Sequence, residues 1–137
     1  MSEANVEIVR RAYEAALRRP KPDFATVNAL FHPNHELVSL VSFRQAGLLR
    51  GSRGFREWLT ELDETYESSW EMRVDEARAL EEGRVLLDVV FGVQGKRSGV
   101  PVEQRVGIVA TLRDGKVVRT ESYPSRDEAL EAVGLEE

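Results

Sequence analysis

The spacing of apolar residues predicts helices in the first half of the chain. A stripe at three- and four-residue intervals runs through Val6, Val9, Tyr13, Ala16 and Leu17. Pro20 and Pro22 end this helix, and Asp23 stands where an N-cap would begin a short second helix that Pro33 ends. A third helix is predicted from the same periodicity at Phe55, Trp58, Leu59, Leu62 and Tyr66.

Alternating apolar and polar residues predict strands in most of the second half. The expected strands are 36–43, 70–80, 85–93, 102–113 and 117–123, and 47–54 is expected to be a loop. Asp114-Gly115 predicts a tight hairpin, and Ser125-x-x-Glu128 predicts the start of a last short helix. Helices followed by hairpin-connected strands indicate an α+β fold with helices packed on one face of the sheet, in one domain of residues 1–137.

Composition narrows the classes of function. Of the 137 residues, 19 are Lys or Arg and 24 are Asp or Glu, so the net charge of −5 argues against nucleic acid or an anionic membrane as a partner. The chain has no cysteine, which excludes a thiolate nucleophile and cysteine-bound metals or clusters. No apolar run approaches the ~20 residues of a membrane span, and no signal-peptide pattern is present, so we expect a cytoplasmic protein.

Several motifs in their order along the chain resemble the SnoaL-like branch of the nuclear-transport-factor-2-like superfamily. The first helix contains Val9-Arg10-Arg11-Ala12-Tyr13-Glu14-Ala15. Further matching segments are Leu30-Phe31-His32-Pro33-Asn34, Gly51-x-x-Gly54 with Phe55 and Trp58, Thr111 to Arg119, and Asp127 to Leu135. No single segment is specific, but together they cover nearly the whole chain.

The resemblance implies a cone-shaped, curved antiparallel sheet covered by three to four helices. It also implies a homodimer through the convex face of the sheet and a small-molecule pocket in the cone, without a cofactor. The superfamily contains polyketide cyclases, steroid isomerases, dehydratases, epoxide hydrolases and members without known activity, so the fold does not decide the function.

The isomerases of this superfamily combine a Tyr hydroxyl, a carboxylate base and a protonated acid. Tyr13 matches the Tyr, although it can also be read as an ordinary core residue. The positions that match the base and the second acid are Ser39 and Gly107, neither of which can do this chemistry. The sequence therefore leaves open whether the protein is an enzyme.

Strand parity determines which other polar groups reach the cone. The resemblance turns Thr120 and Ser122 inward, and in residues 102–113 it turns the odd-numbered set inward, including Arg105. Hydrophobic alternation favours the even-numbered set. The two assignments are compatible if the even-numbered face is buried in a dimer, because neither face of the sheet then meets water. Arg105 is then either an anchor for an anionic ligand or part of a salt bridge at the rim. Asp88 lies opposite the apolar alternation and is expected to face solvent or a dimer interface.

Other candidate motifs favour ordinary structure. His32 and His35 are the only histidines, and Pro33 between them breaks the helix that would align their rings on a metal, so we expect a turn and no metal site. Gly51-x-x-Gly54 lacks the Lys of a phosphate-binding loop and is expected to be a turn. The basic doublet Arg18-Arg19 is expected to be solvated.

The sequence thus predicts a protein that binds a small apolar or weakly polar molecule in its cone. Cofactor-free isomerisation or cyclisation is the catalysis it would allow. The alternative is a non-catalytic ligand-binding protein or a structural homodimer whose cone is filled. The predicted ligand-binding residues are Tyr13, Ser39, Trp58, Arg105, Thr120 and Ser122.

Overall fold

Four helices and six strands form the described part of the chain. The computed structural model describes residues 2–18, 21–39, 47–66, 70–81, 83–94 and 101–134. The helices are α1 (Ser2–Ala16), α2 (Phe24–Leu30), α3 (Gly51–Tyr66) and α4 (Arg126–Ala132). The strands are β1 (Phe31–Ser39), β2 (Gly47–Arg50), β3 (Trp70–Ala79), β4 (Arg84–Gln94), β5 (Pro101–Arg113) and β6 (Lys116–Tyr123). Within these residues, no helix has the length and apolar character needed to cross a bilayer.

The strands form one sheet in the order β2-β1-β6-β5-β4-β3. The α+β class is confirmed, and β3 to β6 form the expected antiparallel meander. One pairing differs from the expected antiparallel sheet, because β1 runs parallel to β6. Parallel neighbours need a long connection between them, and here α3 and the other strands of the meander supply it.

Two boundaries near β1 differ from those the sequence predicts. β1 begins at Phe31, directly after α2, and not at Glu36. Residues 47–54 were predicted to be a loop that includes the Gly51-x-x-Gly54 turn, whereas Gly47–Arg50 forms an edge strand paired with β1 and residues 51–54 already belong to α3.

The predicted continuation of β1 over residues 40–43 lies outside the described residues. The sequence also predicts a hairpin tip from Gly95 to Pro101, of which residues 95–100 lie outside the described residues and Pro101 begins β5.

The local signals in the sequence hold. The Asp23 carboxylate accepts hydrogen bonds from the Thr26 amide at 3.3 Å and the Thr26 hydroxyl at 2.8 Å, and so caps α2. The Ser125 hydroxyl accepts from the Glu128 amide at 3.1 Å and caps α4. Asp114 and Gly115 have φ values of 54° and 77°, as a tight hairpin turn requires.

Hydrophobic alternation correctly predicts which face of β5 is the core face. The even-numbered residues Val106, Ile108, Ala110 and Leu112 belong to the main core together with α1 and the odd-numbered apolar residues of β4. On the opposite face, which we call the outer face, Val109 and Leu86 pack against Ala129 and Leu130 of α4. The register taken from the resemblance is therefore wrong for β5, because its even-numbered side chains pack beneath the helices of the same chain.

Gly107 is the point of closest approach between the outer face and α4. A Cβ atom on this residue would lie 2.8 Å from both the Ala129 Cβ and the Ser125 carbonyl oxygen. It would also lie 3.1 Å from the Arg126 Cα atom. The contacts with Ser125 and Arg126 are to backbone atoms at the start of α4, so no side-chain rotation can relieve them.

We expect Gly107→Ala to lower the free energy of unfolding by about 1–3 kcal/mol, since the added methyl group overpacks the contact with α4. Gly92→Ala is a matched control on the same face, because its Cβ would meet only the flexible Glu71 side chain at 3.6 Å. That control should change stability by less than about 0.5 kcal/mol. Urea unfolding of both variants checks this, and equal losses would contradict the assigned contact.

Candidate functional site

Three buried polar side chains meet inside the apolar core. Tyr13 of α1, His35 of β1 and Thr120 of β6 are each at most 1% exposed. The Tyr13 hydroxyl donates a hydrogen bond to Thr120 Oγ1, and His35 Nε2 lies 2.8 Å from the same oxygen. A hydroxyl group accepts more than one hydrogen bond and donates one, so Thr120 can link the phenol to the imidazole. We call these three residues the polar chain.

Burial keeps both ends of the polar chain neutral at pH 7. Desolvation lowers the pKa of His35 to about 4, against a smaller opposing effect of the Glu36 charge. Desolvation also raises the pKa of Tyr13, and its hydrogen bond with Thr120 only partly offsets this. The direction of the bond between Thr120 and His35 depends on the tautomer of the neutral imidazole. Donation runs continuously from Tyr13 through Thr120 to His35 in the tautomer that carries its proton on Nδ1.

Phe31 holds the two rings of the polar chain in place. Its ring centroid lies 5.5 Å from that of Tyr13 and 4.7 Å from that of His35, in edge-to-face arrangements at 67° and 73°. Such arrangements are the favoured packing of aromatic rings. The orientation of His35 is thus fixed by a ring contact as well as by a hydrogen bond.

A pocket of about 280 Å³ opens beside His35. Its lining residues are Val27, Asn28, Phe31, His32, Pro33, His35 and Gly51. The first turn of α3 closes one wall: Gly51 has φ 65°, and a Cβ there would lie 2.8 Å from the Pro33 carbonyl oxygen. The lining carries apolar side chains, one amide and two imidazoles, with neither a carboxylate nor a guanidinium among them.

The structure brings some of the sequence-predicted site residues together. Tyr13 and Thr120 are in direct contact, and Ser122 lies on the same face of β6, 3% exposed. Ser39 ends β1 in register with Ser122 of β6, which places the two positions on neighbouring strands. Trp58 of α3 is buried in the same core, 6% exposed.

Arg105 lies on the outer face of the sheet, away from the polar chain. Its Nη1 atom is 2.9 Å from Asp75 Oδ2 and 3.1 Å from Asp88 Oδ2, and its side chain is 57% exposed. This is the salt-bridge alternative for Arg105. Asp88 is buried beneath it, and its Oδ1 atom has no hydrogen-bond partner among the residues that the structure describes.

The two histidines differ in their exposure to solvent. His32 is exposed, and its Nδ1 accepts a hydrogen bond from the Asn34 amide at 3.0 Å, whereas the His35 ring is buried. Across the described ranges, no group of three or more His, Asp or Glu side chains is placed to hold a metal. The buried role of His35 was not predicted, although His35 shares the parity of Leu37 and Ser39 in the same strand.

Gly107 does not occupy the place of a catalytic acid inside the sheet. It faces α4, and its inward-facing neighbours Val106 and Ile108 are both apolar. The match between Gly107 and the second acid of the isomerases therefore falls on the wrong face of β5.

The low pKa of His35 predicts a loss of stability on acidification. Between about pH 6.5, the usual His pKa, and pH 4, the unfolded chain binds a proton that the folded chain does not. The free energy of unfolding should therefore fall as pH decreases through this window, with His35 contributing at most about 1.4 kcal/mol per pH unit. His35→Gln should flatten this part of the profile, and His32→Gln, which removes the exposed ring, should leave it steep. Urea unfolding from pH 7 to pH 4 checks this, and identical profiles for the two variants would contradict it.

Comparison with solved structures supports the fold. The structure of TerC, co-crystallised with polyporic acid, matches with a TM-score of 0.73 and 21% sequence identity, over 93% of this chain and 96% of that one. A nuclear-transport-factor-2-like protein of unknown function from Burkholderia pseudomallei matches with a TM-score of 0.70 and 19% identity, over 96% and 98% of the two chains. A protein from Jannaschia that is described as a SnoaL-like polyketide cyclase matches with a TM-score of 0.69 and 16% identity, over 99% of this chain and 95% of that one.

Other matched structures have ketosteroid isomerase-like and cystatin-like folds. No family model matches the sequence, and no curated protein matches it. At identities near 20%, these likenesses carry over the arrangement of the backbone and not the chemistry of any neighbour. The chain has the nuclear-transport-factor-2-like fold, the cystatin-like α+β fold that SnoaL-like and ketosteroid isomerase-like proteins share.

Proposed function

We propose that the protein binds a small, uncharged, weakly polar organic molecule in the pocket beside His35. The observation that carries this proposal is that a buried imidazole, fixed from behind by Thr120 and Phe31, lines a pocket of about 280 Å³. Ligand sites typically combine apolar walls with a few fixed polar groups, and their volumes usually begin near 300 Å³. The ligand is accordingly small.

The lining explains why the ligand is uncharged. His35 is neutral at pH 7, and neither a carboxylate nor a guanidinium lines the pocket to compensate a charge. Val27 and Phe31 offer apolar contact, whereas Asn28 and His32 offer hydrogen bonds. An aromatic or alicyclic molecule with one hydroxyl or carbonyl group fits a pocket with these apolar and hydrogen-bonding parts.

Structural neighbours support binding of small organic molecules on this fold. One was co-crystallised with polyporic acid, and another, from Catenulispora acidiphila, is in complex with trimethylamine. These ligands belong to those proteins. They support the proposal that the pocket of the present chain binds an organic molecule.

Cofactor-free isomerisation or cyclisation is the second candidate function. The polar chain favours it, because it links a phenol to an imidazole through one hydroxyl and provides a route for a proton. Binding is favoured over catalysis, since a pKa near 4 makes His35 a weak base at neutral pH. The half-buried carboxylate of Asp63 accepts from the Trp70 indole at 2.7 Å and does not line the pocket.

A homodimer through the outer face, in a cytoplasmic protein, belongs to the same proposal. The resemblance to SnoaL-like proteins supports it, because that resemblance implies a homodimer through the convex face of the sheet, the face opposite α1. Ion pairs join Arg105 to Asp75 and Asp88, Arg73 to Glu103, and Arg119 to Glu36 and Glu121 on this face. Such a dimer would be polar. The rival is a structural homodimer whose interior is filled.

The pocket can be tested with phenol, using toluene as a probe of similar shape without the hydroxyl. Phenol should cause saturable shifts in the amide resonances of Phe31 and His35 in ¹H–¹⁵N NMR spectra, and toluene should bind more weakly by about 1 kcal/mol. Asn28→Phe should block the pocket and weaken phenol binding at least tenfold. Ala29→Phe is the matched control, because residue 29 is exposed on the same helix but does not line the pocket. Equal loss in both variants, or phenol shifts confined to other residues, would overturn the site.

Native mass spectrometry of freshly purified protein complements this test. A co-purifying molecule of low mass would identify the ligand class directly. If it is lost from Asn28→Phe and retained by Ala29→Phe, the pocket is where it binds.

Sedimentation velocity at micromolar concentration tests the dimer. We expect a species of twice the 15.5 kDa chain mass that dissociates as salt is raised, since charged groups dominate the outer face. Arg105→Glu, which would place an acid beside Asp75 and Asp88, should shift the protein to the monomer. Lys116→Glu makes the same charge change at the exposed β5–β6 turn and serves as the control. A 15.5 kDa species alone at every salt concentration would contradict the dimer.

A further inference from the structure

A second concave surface carries positive charge in a chain that is negative overall. An open groove of about 590 Å³ is lined by Arg18, Lys21, Pro22, Asp23, Phe24 and Arg56. Its cations come from the residues after α1, the connection to α2, and α3. We call it the basic groove. It shares no lining residue with the pocket beside His35.

The three cations of the basic groove are not neutralised by ion pairs in the described part of the chain. The arginines of the outer face, such as Arg73 and Arg105, are paired with carboxylates. Among the described residues, Arg18, Lys21 and Arg56 form no salt bridge, and Arg18 acts on the Asp23 charge without forming one. Since the chain as a whole carries a net charge of −5, this clustering of unpaired cations is a local exception.

Asp23 is the carboxylate that lines the groove, and it already accepts hydrogen bonds within the chain. Asp23 accepts two hydrogen bonds from Thr26 as the cap of α2, and these bonds lower the pKa of its carboxyl group. Asp23 therefore stays charged at neutral pH and offsets one of the three cations. The groove keeps a net charge of about +2.

Arg56 is held in position by an aromatic contact. Its Cζ atom lies 4.0 Å from the centroid of the Phe24 ring, which is the geometry of a cation–π interaction. A guanidinium that is already positioned loses less freedom when it binds an anion. Its planar set of N–H donors matches two oxygens of a phosphate group.

We propose that the basic groove binds a small dianion, specifically the phosphate group of a phosphate monoester. A phosphate monoester carries a charge of about −1.5 to −2 at pH 7, which matches the net charge of the groove. Arg56 contributes paired donors from α3, while Arg18 and Lys21 contribute charge from the connection between α1 and α2. The site is independent of the uncharged ligand proposed for the pocket.

Titration with glycerol 3-phosphate at low ionic strength, followed by ¹H–¹⁵N NMR, tests the proposal. We expect saturable shifts in the amides of Lys21, Phe24 and Arg56. Glycerol should cause none, and inorganic phosphate should cause the same shifts if the phosphate group alone is recognised. Affinity should fall as salt is raised, because the site is exposed.

Charge-neutralising variants separate a site from general attraction. Lys21→Gln and Arg56→Gln should each weaken glycerol 3-phosphate binding by about threefold or more. Lys116→Gln removes one exposed positive charge at the β5–β6 turn and should leave the affinity unchanged. All three side chains are exposed, so the variants should fold, and thermal unfolding checks that they do.

Two results would overturn the proposal. One is an absence of saturable shifts in the wild-type protein. The other is an equal weakening by Lys116→Gln and Lys21→Gln, which would show that only the overall charge matters. Loss of glycerol 3-phosphate binding in Arg56→Gln with phenol binding retained would confirm that the groove and the pocket are separate sites.

Discussion

The requirement that buried polar groups find partners controls the interior of this protein. Tyr13 brings a hydroxyl group into an apolar core, and an unpaired hydroxyl there would destabilise the fold by about 1–3 kcal/mol. Thr120 is its partner, and Thr120 in turn meets His35. Because these residues come from α1, β6 and β1, satisfying one hydroxyl fixes a helix and two strands relative to one another.

That constraint also decides what the interior offers to a ligand. The Tyr13 hydroxyl is engaged by Thr120, so the phenol acts on a ligand only through the residues it holds. His35 is the member of the polar chain that lines a pocket, and burial keeps its ring uncharged. The favoured chemistry is therefore recognition of a weakly polar molecule, with proton transfer as the less favoured reading.

The sequence predicts features that depend on near neighbours and misses those set by distant contacts. The caps at Asp23 and Ser125 and the turn at Asp114-Gly115 are local, and all three are present. The parallel pairing of β1 with β6 joins residues far apart in the chain, such as Leu37 and Thr120, and was not predicted. The edge strand β2 pairs with the nearby β1 and was missed for another reason, because residues 47–50 are too few to show an alternating pattern.

The same distinction applies to the site. Tyr13 and Thr120 were predicted individually, but no spacing rule shows that they touch. His35 was missed because Pro33 favoured a turn, although parity with Leu37 places it inside. Hydrophobic alternation gives the correct face of β5, while the register carried over from the family does not, so Arg105 lies outside.

The packing of α4 on Gly107 also protects the sheet. Leu86 and Val109 are covered by Ala129 and Leu130, so a chain cleaved before Ser125 would expose apolar side chains across two strands. Exposed apolar patches of this kind promote aggregation. The last helix thus covers apolar side chains of the outer face, and proteolysis or truncation at the end of β6 would make the protein prone to aggregation.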